Sequence, residues 1–385
     1  LRRRHTRVDT VRKRLLHSQL VRMILANVLH RPVRTVVSVL AVAIEITLIL
    51  LVVGLTTGML NDSAKRVEGV GAEVMVQPPG ASMFLGLTAA PMPVKIAALI
   101  RRLPHVQQVA PVLLQFNPGS GGLNVIYGIS METFDQVSGG FVYYSGGPLR
   151  KKQDVLVDDT YARANHVKVG DTVRLLNHDF YVCGIVEHGK GGRLFIPLAT
   201  AQQIIGASGR ANLFFIKCTD PGYTGEVIAS IRKLLPHDQV LSVREYMSMV
   251  TSSGLPALTD FVTCIVGIAV GIGFLVIFLS MYTTIAERTR EIGILKSLGA
   301  SKLYLVREFL EEASLMAAAG IGLGYAGTYL LMKFILAYFP TLTIQLTINW
   351  LGWAAALALA GALIGALYPA LRAASLDPVD ALAYE

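Results

Sequence analysis

Charged residues are scarce in this chain. Asp, Glu, Lys and Arg together make up 16% of its 385 residues, and 53% of the residues are hydrophobic. Soluble globular proteins carry about 25% charged residues. The composition therefore argues against an ordinary soluble protein and predicts an integral membrane protein. Because roughly two hundred residues of mixed sequence separate the first apolar run from the others, we also expect a soluble domain.

Cysteine is also rare, with three residues in the chain. Cys183, Cys218 and Cys264 have no CxxC or similar metal-ligand spacing, so no metal or other cofactor is predicted. Cys264 falls in an apolar run, where packing is the expected role. Cys183 and Cys218 lie in the predicted soluble domain, where a disulfide and two free thiols both fit the sequence. No Ser-His-Asp, Cys-His or HExxH arrangement appears, so a catalytic role is not favoured.

Acidic residues are nearly absent from residues 1–34, where ten Lys and Arg residues accompany a single Asp. Beside an apolar run, such a cluster predicts a cytoplasmic anchor that contacts anionic lipid. Its apolar residues recur at helical spacing, which indicates a basic amphipathic helix along the inner leaflet. No aromatic residues are interleaved with the charges, and this argues against nucleic-acid binding.

Four apolar runs are long enough to cross a hydrocarbon core of about 30 Å as helices. The Arg-rich flank of the first run predicts that the chain enters the membrane from the inside. Residues 61–257 then lie outside, and both termini, including the tail 372–385, lie inside. Because short β-rich and helical segments alternate in 61–257, the predicted fold is a membrane α-helical protein with an α+β extracytoplasmic domain between helices 1 and 2. The four predicted spans are residues 36–60, 261–285, 313–339 and 350–371.

Two features stand out within the predicted spans. Glu45 lies inside the first span, where an ionised side chain costs about 2.5–3.5 kcal/mol. Two roles stay open for it: lining a substrate path, or joining helices by hydrogen bonds. Small residues spaced four apart allow membrane helices to approach closely, and they predict a packed bundle or dimer face. These pairs are Gly267 and Gly271, Gly320 and Gly324, and Gly361 and Gly365.

A charged connector, residues 286–312, joins the second and third spans. Its Lys and Arg residues favour the cytoplasmic side. Ile294, Leu295 and Leu298 recur at helical spacing and form a small apolar stripe on a mostly polar element. Gly299 suits a helix end, and Ser301 suits the start of the next helix. The connector is therefore predicted to hold a short, rigid helix at the membrane face.

The segment Gly184–Lys190 has the GxxxxGK spacing of a phosphate-binding loop. Gly191 follows, however, where such a loop carries the Ser or Thr that binds Mg²⁺. The segment also lies in the predicted outer domain, where ATP is scarce. We therefore interpret it as a β-turn loop, and the sequence indicates no nucleotide site of its own.

The connector and the end of the chain together resemble a known family. The run Glu287–Gly293 (ERTREIG), followed by Lys296, the segment 298–301 (LGAS) and Glu312, is similar to the signature of MacB/FtsX-type ABC-transporter permeases. A second match lies near the C-terminus, with YPA at 368–370, RAA at 372–374 and DPVDAL at 377–382. The segment 154–198 also resembles the MacB-type periplasmic core domain. The resemblance is sharpest over the last third of the chain.

The resemblance implies a permease subunit of the mechanotransmission (type VII) kind. It implies two copies of a separate cytoplasmic ATPase that binds the ATP and Mg²⁺, together with a second permease copy, identical or paralogous. The expected location is the bacterial inner membrane, with the large domain in the periplasm, where an adaptor and an outer-membrane duct are further expected partners. By position in the motif, the ATPase-coupling residues would be Glu287, Arg288, Glu291, Ile292, Gly293, Lys296 and Gly299.

Two functions remain open at the level of sequence. In the first, the ATP-driven motion exports or extracts a hydrophobic or amphipathic substrate such as a lipid, lipoprotein, peptide or drug. In the second, as in FtsX-like members, the same motion switches a periplasmic partner such as a cell-wall hydrolase and nothing is transported. The charges of the connector also fit topological anchoring, but anchoring does not explain Ile292, Gly293 and Gly299.

Overall fold

A computed structural model describes residues 32–80, 90–119, 122–251 and 256–377. The predicted amphipathic helix of residues 1–34 lies almost wholly outside these residues, as does the end of the tail from 378 onward. The helices are α1 (Pro32–Glu68), α2 (Lys95–Arg101), α3 (Met131–Ser138), α4 (Asp159–Asn165), α5 (Leu198–Ile204), α6 (Thr224–Leu234), α7 (Val243–Thr251), α8 (Pro256–Glu287), α9 (Thr289–Ser297), α10 (Lys302–Tyr338) and α11 (Ile348–Ser375).

Twelve strands accompany these helices in the described part of the chain. They are β1 (Val74–Gln77), β2 (Met92–Pro93), β3 (Val106–Gly119), β4 (Gly122–Ile129), β5 (Tyr143–Gly146), β6 (Asp154–Asp158), β7 (Thr172–Leu175), β8 (His178–Val186), β9 (Leu194–Pro197), β10 (Arg210–Ala211), β11 (Leu213–Cys218) and β12 (Gln239–Ser242).

The chain divides into two compact units. The first, a helical bundle, comprises residues 32–54, 260–333 and 346–377 of the described chain. The second, the sheet unit, comprises the described residues of 55–259 and 334–345, so it includes the end of α1 and the segment between α10 and α11. Four helices of the described chain are long and apolar enough to cross a membrane: α1, α8, α10 and α11.

Contacts of α1 with α10, of α8 with α11 and of α10 with α11 hold the bundle together. Small residues make the helices approach closely: a Cβ added at Gly324 would lie 2.7 Å from Cβ of Ile46 on α1, and one at Gly365 would lie 2.9 Å from the Phe274 carbonyl oxygen on α8. The Tyr325 hydroxyl on α10 donates to the Leu351 carbonyl on α11 at 2.8 Å. Because lipid offers no hydrophobic drive between helices, such close packing is the expected source of their association.

The predicted glycine pairs differ in which neighbouring helix, if any, they contact. Gly320 and Gly324 on α10 lie against α1, and Gly361 and Gly365 on α11 lie against α8. Gly267 and Gly271 on α8 have open space within 4 Å in this chain. Gly273, two residues further along α8, instead has a close neighbour in Glu45 of α1. A role of Gly267 and Gly271 in contact with a second copy stays a prediction.

The sheet unit is built on one mixed, ten-stranded sheet. Its order is β12-β1-β11-β3-β4-β9-β6-β8-β5, and β7 pairs with β8. Neighbouring strands are antiparallel except for the parallel pairs β4 with β9 and β6 with β8. Strand residues alternate between the two faces. In β11, Phe214 and Ile216 pack beneath α2 and α6, whereas Phe215 joins the core that contains Val67 of α1.

Several sequence expectations can be compared with these elements. The alternating pattern of the sequence predicts strands at 73–76, 124–129, 154–157, 172–176, 180–186 and 213–217, and each coincides with a strand to within two residues at both ends. The longest strand, β3, was not predicted, nor were α3, α4 and α7. The helices α1, α8, α10 and α11 extend beyond the predicted spans because the helical hydrogen bonds continue into polar residues that a hydropathy run does not include.

Two open questions about the outer domain are resolved by the structure. Cys183 in β8 and Cys218 in β11 are free thiols, so the disulfide is not formed. Residues 187–193 form a loop between β8 and β9, and β9, not a helix, follows it. Lys190 donates to the Ser138 carbonyl. The interpretation of this glycine-rich segment as a loop is therefore confirmed.

Candidate functional site

The connector between α8 and α10 contains the short helix α9 and a tight turn. The backbone N–H of Ala300 donates to the Leu295 carbonyl at 3.0 Å, and Gly299 has a φ of 93°, a left-handed conformation that favours glycine. The Ser301 hydroxyl then accepts a bond from the Tyr304 N–H at 3.2 Å, which caps the start of α10. These residues therefore account for the end of α9, the turn after it and the start of α10.

Arg288, at the junction of α8 and α9, is surrounded by carboxylates. Its Nε donates to Glu291 at 2.8 Å, and its other nitrogens lie 3.6 Å from Glu308 and 3.6 Å from Glu312, both on α10. Burial alone would lower the pKa of Arg288, but the bond to Glu291 and the nearby carboxylates outweigh burial and raise the pKa. Arg288 thus stays charged and joins α9 to α10.

The inner side of α9 is fixed by packing and by hydrogen bonds to the end of α11. Ile292 is buried beside Leu305 and Phe309 of α10 and several alanines of α11. Gly293 is buried as well. Lys296 donates to the carbonyl of Ala374 at 3.1 Å and to that of Leu376. The helix is therefore connected to both α10 and α11.

Apolar side chains are exposed on α9, on the turn after it and at the start of α10. Leu298 is 81% exposed and Leu303 is 79% exposed, and Ile294 is exposed as well. We call these three residues the connector ridge. Glu291 is also exposed beside the ridge. These three side chains leave apolar surface exposed on an element that is otherwise held by α10 and α11.

Glu287, the last residue of α8, pairs with Arg34 near the start of α1. Arg34 also donates to the Thr284 hydroxyl at 2.8 Å. The connector is therefore linked to α1 as well as to α10 and α11. The sequence analysis treated Arg34 as part of a topological anchor, and the specific partners could not be read from its charge alone.

The predicted coupling residues thus fall into four groups. Arg288, Ile292, Gly293 and Lys296 hold α9 in place, Glu287 joins it to α1, and Glu291 is on its outer side. Gly299 shapes the turn, where nothing lies within 4 Å of a Cβ added to it. The sequence analysis named Glu312 only as part of the family motif and did not identify Leu303 or Glu308. The available signals were a leucine among polar residues at the start of α10 and two carboxylates four residues apart at the polar end of an apolar helix.

Glu45, the acidic residue in the first span, is buried between α1 and α8. Its side chain lies against Gly273, and its Oε1 has no hydrogen-bond partner among the described residues. The helix-joining hydrogen bonds considered from the sequence are therefore not found for this oxygen. The described residues also contain no group of three or more His, Cys, Asp or Glu side chains that could hold a metal ion.

Two family models match the chain. Residues 35–234 match the MacB-like periplasmic core domain, and residues 263–378 match the FtsX-like permease C-terminal domain. The first match covers most of α1 and the sheet unit as far as the end of α6. The second begins inside α8 and continues through α11, so it includes the connector.

Curated relatives agree with these models. The chain is 27% identical over 391 residues to the macrolide export ATP-binding/permease protein MacB of Hahella chejuensis, covering 92% of this chain and 58% of that protein. It is 36% identical over 158 residues to the uncharacterized ABC transporter permease YknZ of Bacillus subtilis, covering 38% of this chain and 36% of that protein. The chain thus spans less than two thirds of the length of these relatives.

Among solved structures, the chain is similar to the periplasmic region of MacB from Actinobacillus actinomycetemcomitans. That match has a TM-score of 0.37 and 18% sequence identity, and it covers 48% of this chain and 95% of the other.

Proposed function

Because this chain belongs to the MacB/FtsX-type family of ABC-transporter permeases, we propose that it couples ATP hydrolysis by a separate cytoplasmic ATPase to movement of its sheet unit. In this proposal the chain is itself non-catalytic. Two ATPase copies bind ATP and Mg²⁺, and a second permease copy completes the complex. The connector faces the cytoplasm of a bacterial inner membrane and the sheet unit faces the periplasm.

The observation that carries the proposal is the connector ridge on a firmly held helix. Ile294, Leu298 and Leu303 are exposed, although α9 beneath them is fixed by Arg288, Ile292 and Lys296. A push on the ridge would therefore be passed to α1, α8, α10 and α11 together, and would not be lost in a flexible loop. Exposed leucines in a polar turn are costly in water unless a partner covers them.

We further propose that the movement exports a hydrophobic or amphipathic substrate. The names of relatives support an export role: one is a macrolide export ATP-binding/permease protein, and another, 24% identical over 91% of this chain, is the pyoverdine export ATP-binding/permease protein PvdT of Pseudomonas putida. A periplasmic adaptor and an outer-membrane duct would receive the substrate on the outer side.

Purification of the tagged chain from its native membrane tests the coupling role. An ATP-binding-cassette ATPase should co-purify and hydrolyse ATP. Leu298→Asp combined with Leu303→Asp should remove the ATPase from the complex, or reduce ATP hydrolysis at least tenfold. In the proposed complex the ATPase covers both leucines, and the substitutions would place two charges in that contact. Glu291→Lys should weaken the complex less, since it alters a charge at the edge of the ridge.

Val142→Asp is the matched control, because Val142 is an exposed apolar residue of the sheet unit. It should leave ATPase binding and hydrolysis unchanged. An undiminished complex in the Leu298/Leu303 double variant would contradict the coupling role, as would a native preparation without any ATPase.

Transport in reconstituted vesicles tests the export role. ATP-dependent movement of an amphipathic dye or of an extracted lipid would support it. ATP-dependent activation of a periplasmic hydrolase without any such flux would instead support the signalling role of FtsX-like members.

A further inference from the structure

The segment between α10 and α11 belongs to the sheet unit and lies directly on the outer part of α1. We call residues 339–345 the outer strap. A Cβ added at Gly58 of α1 would lie 2.0 Å from the Thr343 carbonyl oxygen, so the strap backbone runs against the helix where only glycine leaves room. Next to this contact, Asn61 of α1 donates to Gln345 at 2.7 Å.

One guanidinium joins the strap, α1 and the sheet. Nη2 of Arg193 donates to the Thr341 carbonyl at 2.9 Å and lies 3.3 Å from the Asp62 carboxylate of α1. Arg193 itself is 8% exposed. Charge-assisted bonds from a buried arginine are among the stronger polar contacts in proteins.

The backbone of Arg193 is in turn held by the sheet. Its N–H donates to the Val125 carbonyl of β4 at 3.2 Å, and its carbonyl accepts from the Asp158 N–H of β6 at 2.8 Å. The guanidinium therefore extends from a rigid platform, and its position is not set by a mobile loop. Three chain segments that are distant in sequence meet at this side chain.

We propose that Arg193 is a positioning residue that clamps the outer strap and α1 to the sheet, so that displacement of α10 is passed into the sheet unit through this clamp. The inference rests on the proposed coupling function. In Arg193→Ala, the strap keeps its contacts with Gly58 and Asn61 of α1 but loses the bond from the sheet to the Thr341 carbonyl. Arg193 would then be required for a movement of the connector to displace the sheet.

Hydrogen–deuterium exchange of the full-length protein in nanodiscs tests the clamp itself. Arg193→Ala should raise exchange in residues 339–345 at least tenfold, while β6 and β9 stay protected. Arg210→Ala is the matched control, because Arg210 also donates to a loop carbonyl of the sheet unit, that of Pro91 at 3.0 Å. Exchange in the strap should be unchanged in that control.

Two further variants separate the clamp from a general loss of folding. Asp62→Asn weakens the pairs of Asp62 with Arg193 and Arg66 and leaves the Arg193–Thr341 bond in place. Arg193→Ala with Asp158→Asn avoids leaving a buried carboxylate without its cation. The double variant should raise exchange in the strap while the sheet remains protected, and Asp62→Asn should raise it less. Unchanged strap exchange in Arg193→Ala and in the double variant would overturn the proposal.

A distance measurement tests whether the clamp transmits movement. Labels are placed at Val142 in the two permease copies of the ATPase complex, and the distance between them is measured with ADP and with ATP. A nucleotide-dependent distance change in the wild type that shrinks at least threefold in Arg193→Ala, with ATP hydrolysis retained, supports the clamp as a transmitter. An equal change in both proteins overturns the transmitter role. No change in the wild type overturns the proposed coupling function, while the exchange experiment still decides whether the clamp exists.

Joining Asn61→Cys to Gln345→Cys with a short thiol crosslinker gives a rescue test. In the Arg193→Ala protein, with native cysteines replaced, the crosslink should restore the nucleotide-dependent distance change. Failure of the crosslink to restore it would show that Arg193 acts elsewhere than at the strap.

Discussion

The carboxylate of Glu45 occupies the space that Gly273 leaves open. A Cβ added at Gly273 would lie 1.9 Å from Oε2 of Glu45, and the other carboxylate oxygen is buried without a hydrogen-bond partner among the described residues. An acidic side chain in a membrane span is therefore accommodated by the absence of a side chain on the neighbouring helix.

The first prediction concerns this pair. Gly273→Ala should lower the thermal stability of the protein in detergent, because the new methyl group would overlap the Glu45 carboxylate and force it to move. Glu45→Ala in the same protein should recover most of the loss, which would give a coupling free energy of about 1 kcal/mol or more in a double-mutant cycle. Strictly additive effects of the two substitutions would contradict the packing relationship.

The second prediction concerns contact between α1 and α10. Gly324→Ala should destabilise the bundle by about 1–3 kcal/mol, because the new methyl group meets Cβ of Ile46 at 2.7 Å and the Ala43 carbonyl at 2.9 Å. Gly267→Ala is the control, since nothing in this chain lies within 4 Å of its added Cβ. Thermal unfolding of the monomeric detergent-solubilised protein measures both. Equal loss in the two variants would contradict the assignment of Gly324 to a helix contact.

A third prediction follows from the carboxylates around Arg288. Arg288→Ala should lower the free energy of unfolding by about 3 kcal/mol, because it leaves Glu308 and Glu312 buried without their cation. Glu308→Gln added to that variant should restore part of the loss, since it removes one of the unpaired charges. Chemical or thermal unfolding of the three variants is the measurement. No recovery on adding Glu308→Gln would show that these charges do not interact in the folded protein.

The fourth prediction concerns pH and Asp158, which caps α4 through a 2.6 Å bond from the Tyr161 N–H. Burial raises the pKa of Asp158 to about 6, although Arg193 opposes the shift. The folded state thus binds a proton more tightly than the unfolded state, whose pKa is about 3.9. Stability from this group is present at low pH and is lost as the pH rises from about 4 to about 6.

Asp158→Asn keeps the capping oxygen and removes the charge. It should raise the free energy of unfolding at pH 7 by about 2–3 kcal/mol, and it should flatten the decline of stability between pH 4 and pH 6. Unfolding of wild type and variant across that range provides the test. A variant with the same pH profile as the wild type would show that Asp158 titrates normally in the folded state.

The membrane helices and the connector were predictable because their signals are local. An apolar run defines a span, and Gly299 followed by Ser301 defines a helix end and a helix start. The outer domain was harder. The strand β3 contains Gln107, Gln108, Pro111 and Asn117, so its pattern is not a simple alternation, and only pairing with β4 and β11 reveals it.

Contacts between distant parts of the chain could not be predicted. Arg193 and Asp62 are 131 residues apart, and Arg34 and Thr284 are 250 apart. Spacing rules compare residues within a few turns or one strand, so they do not register such pairs. For the same reason the spacing rule selected Gly267 and Gly271 and did not identify Gly273. In this chain Gly273 is the glycine of these three that lies against a neighbouring side chain, that of Glu45.

The free thiols of Cys183 and Cys218 have a consequence for how the sheet unit is made. Since no covalent bridge closes it, its folding does not wait for an oxidising enzyme, and reductant should leave its melting temperature unchanged. Burial raises the pKa of Cys183 to about 12, so this thiol is slow to react with oxidants or alkylating reagents. In the proposed periplasmic location, such a domain would therefore reach the same final form whether its surroundings are oxidising or reducing.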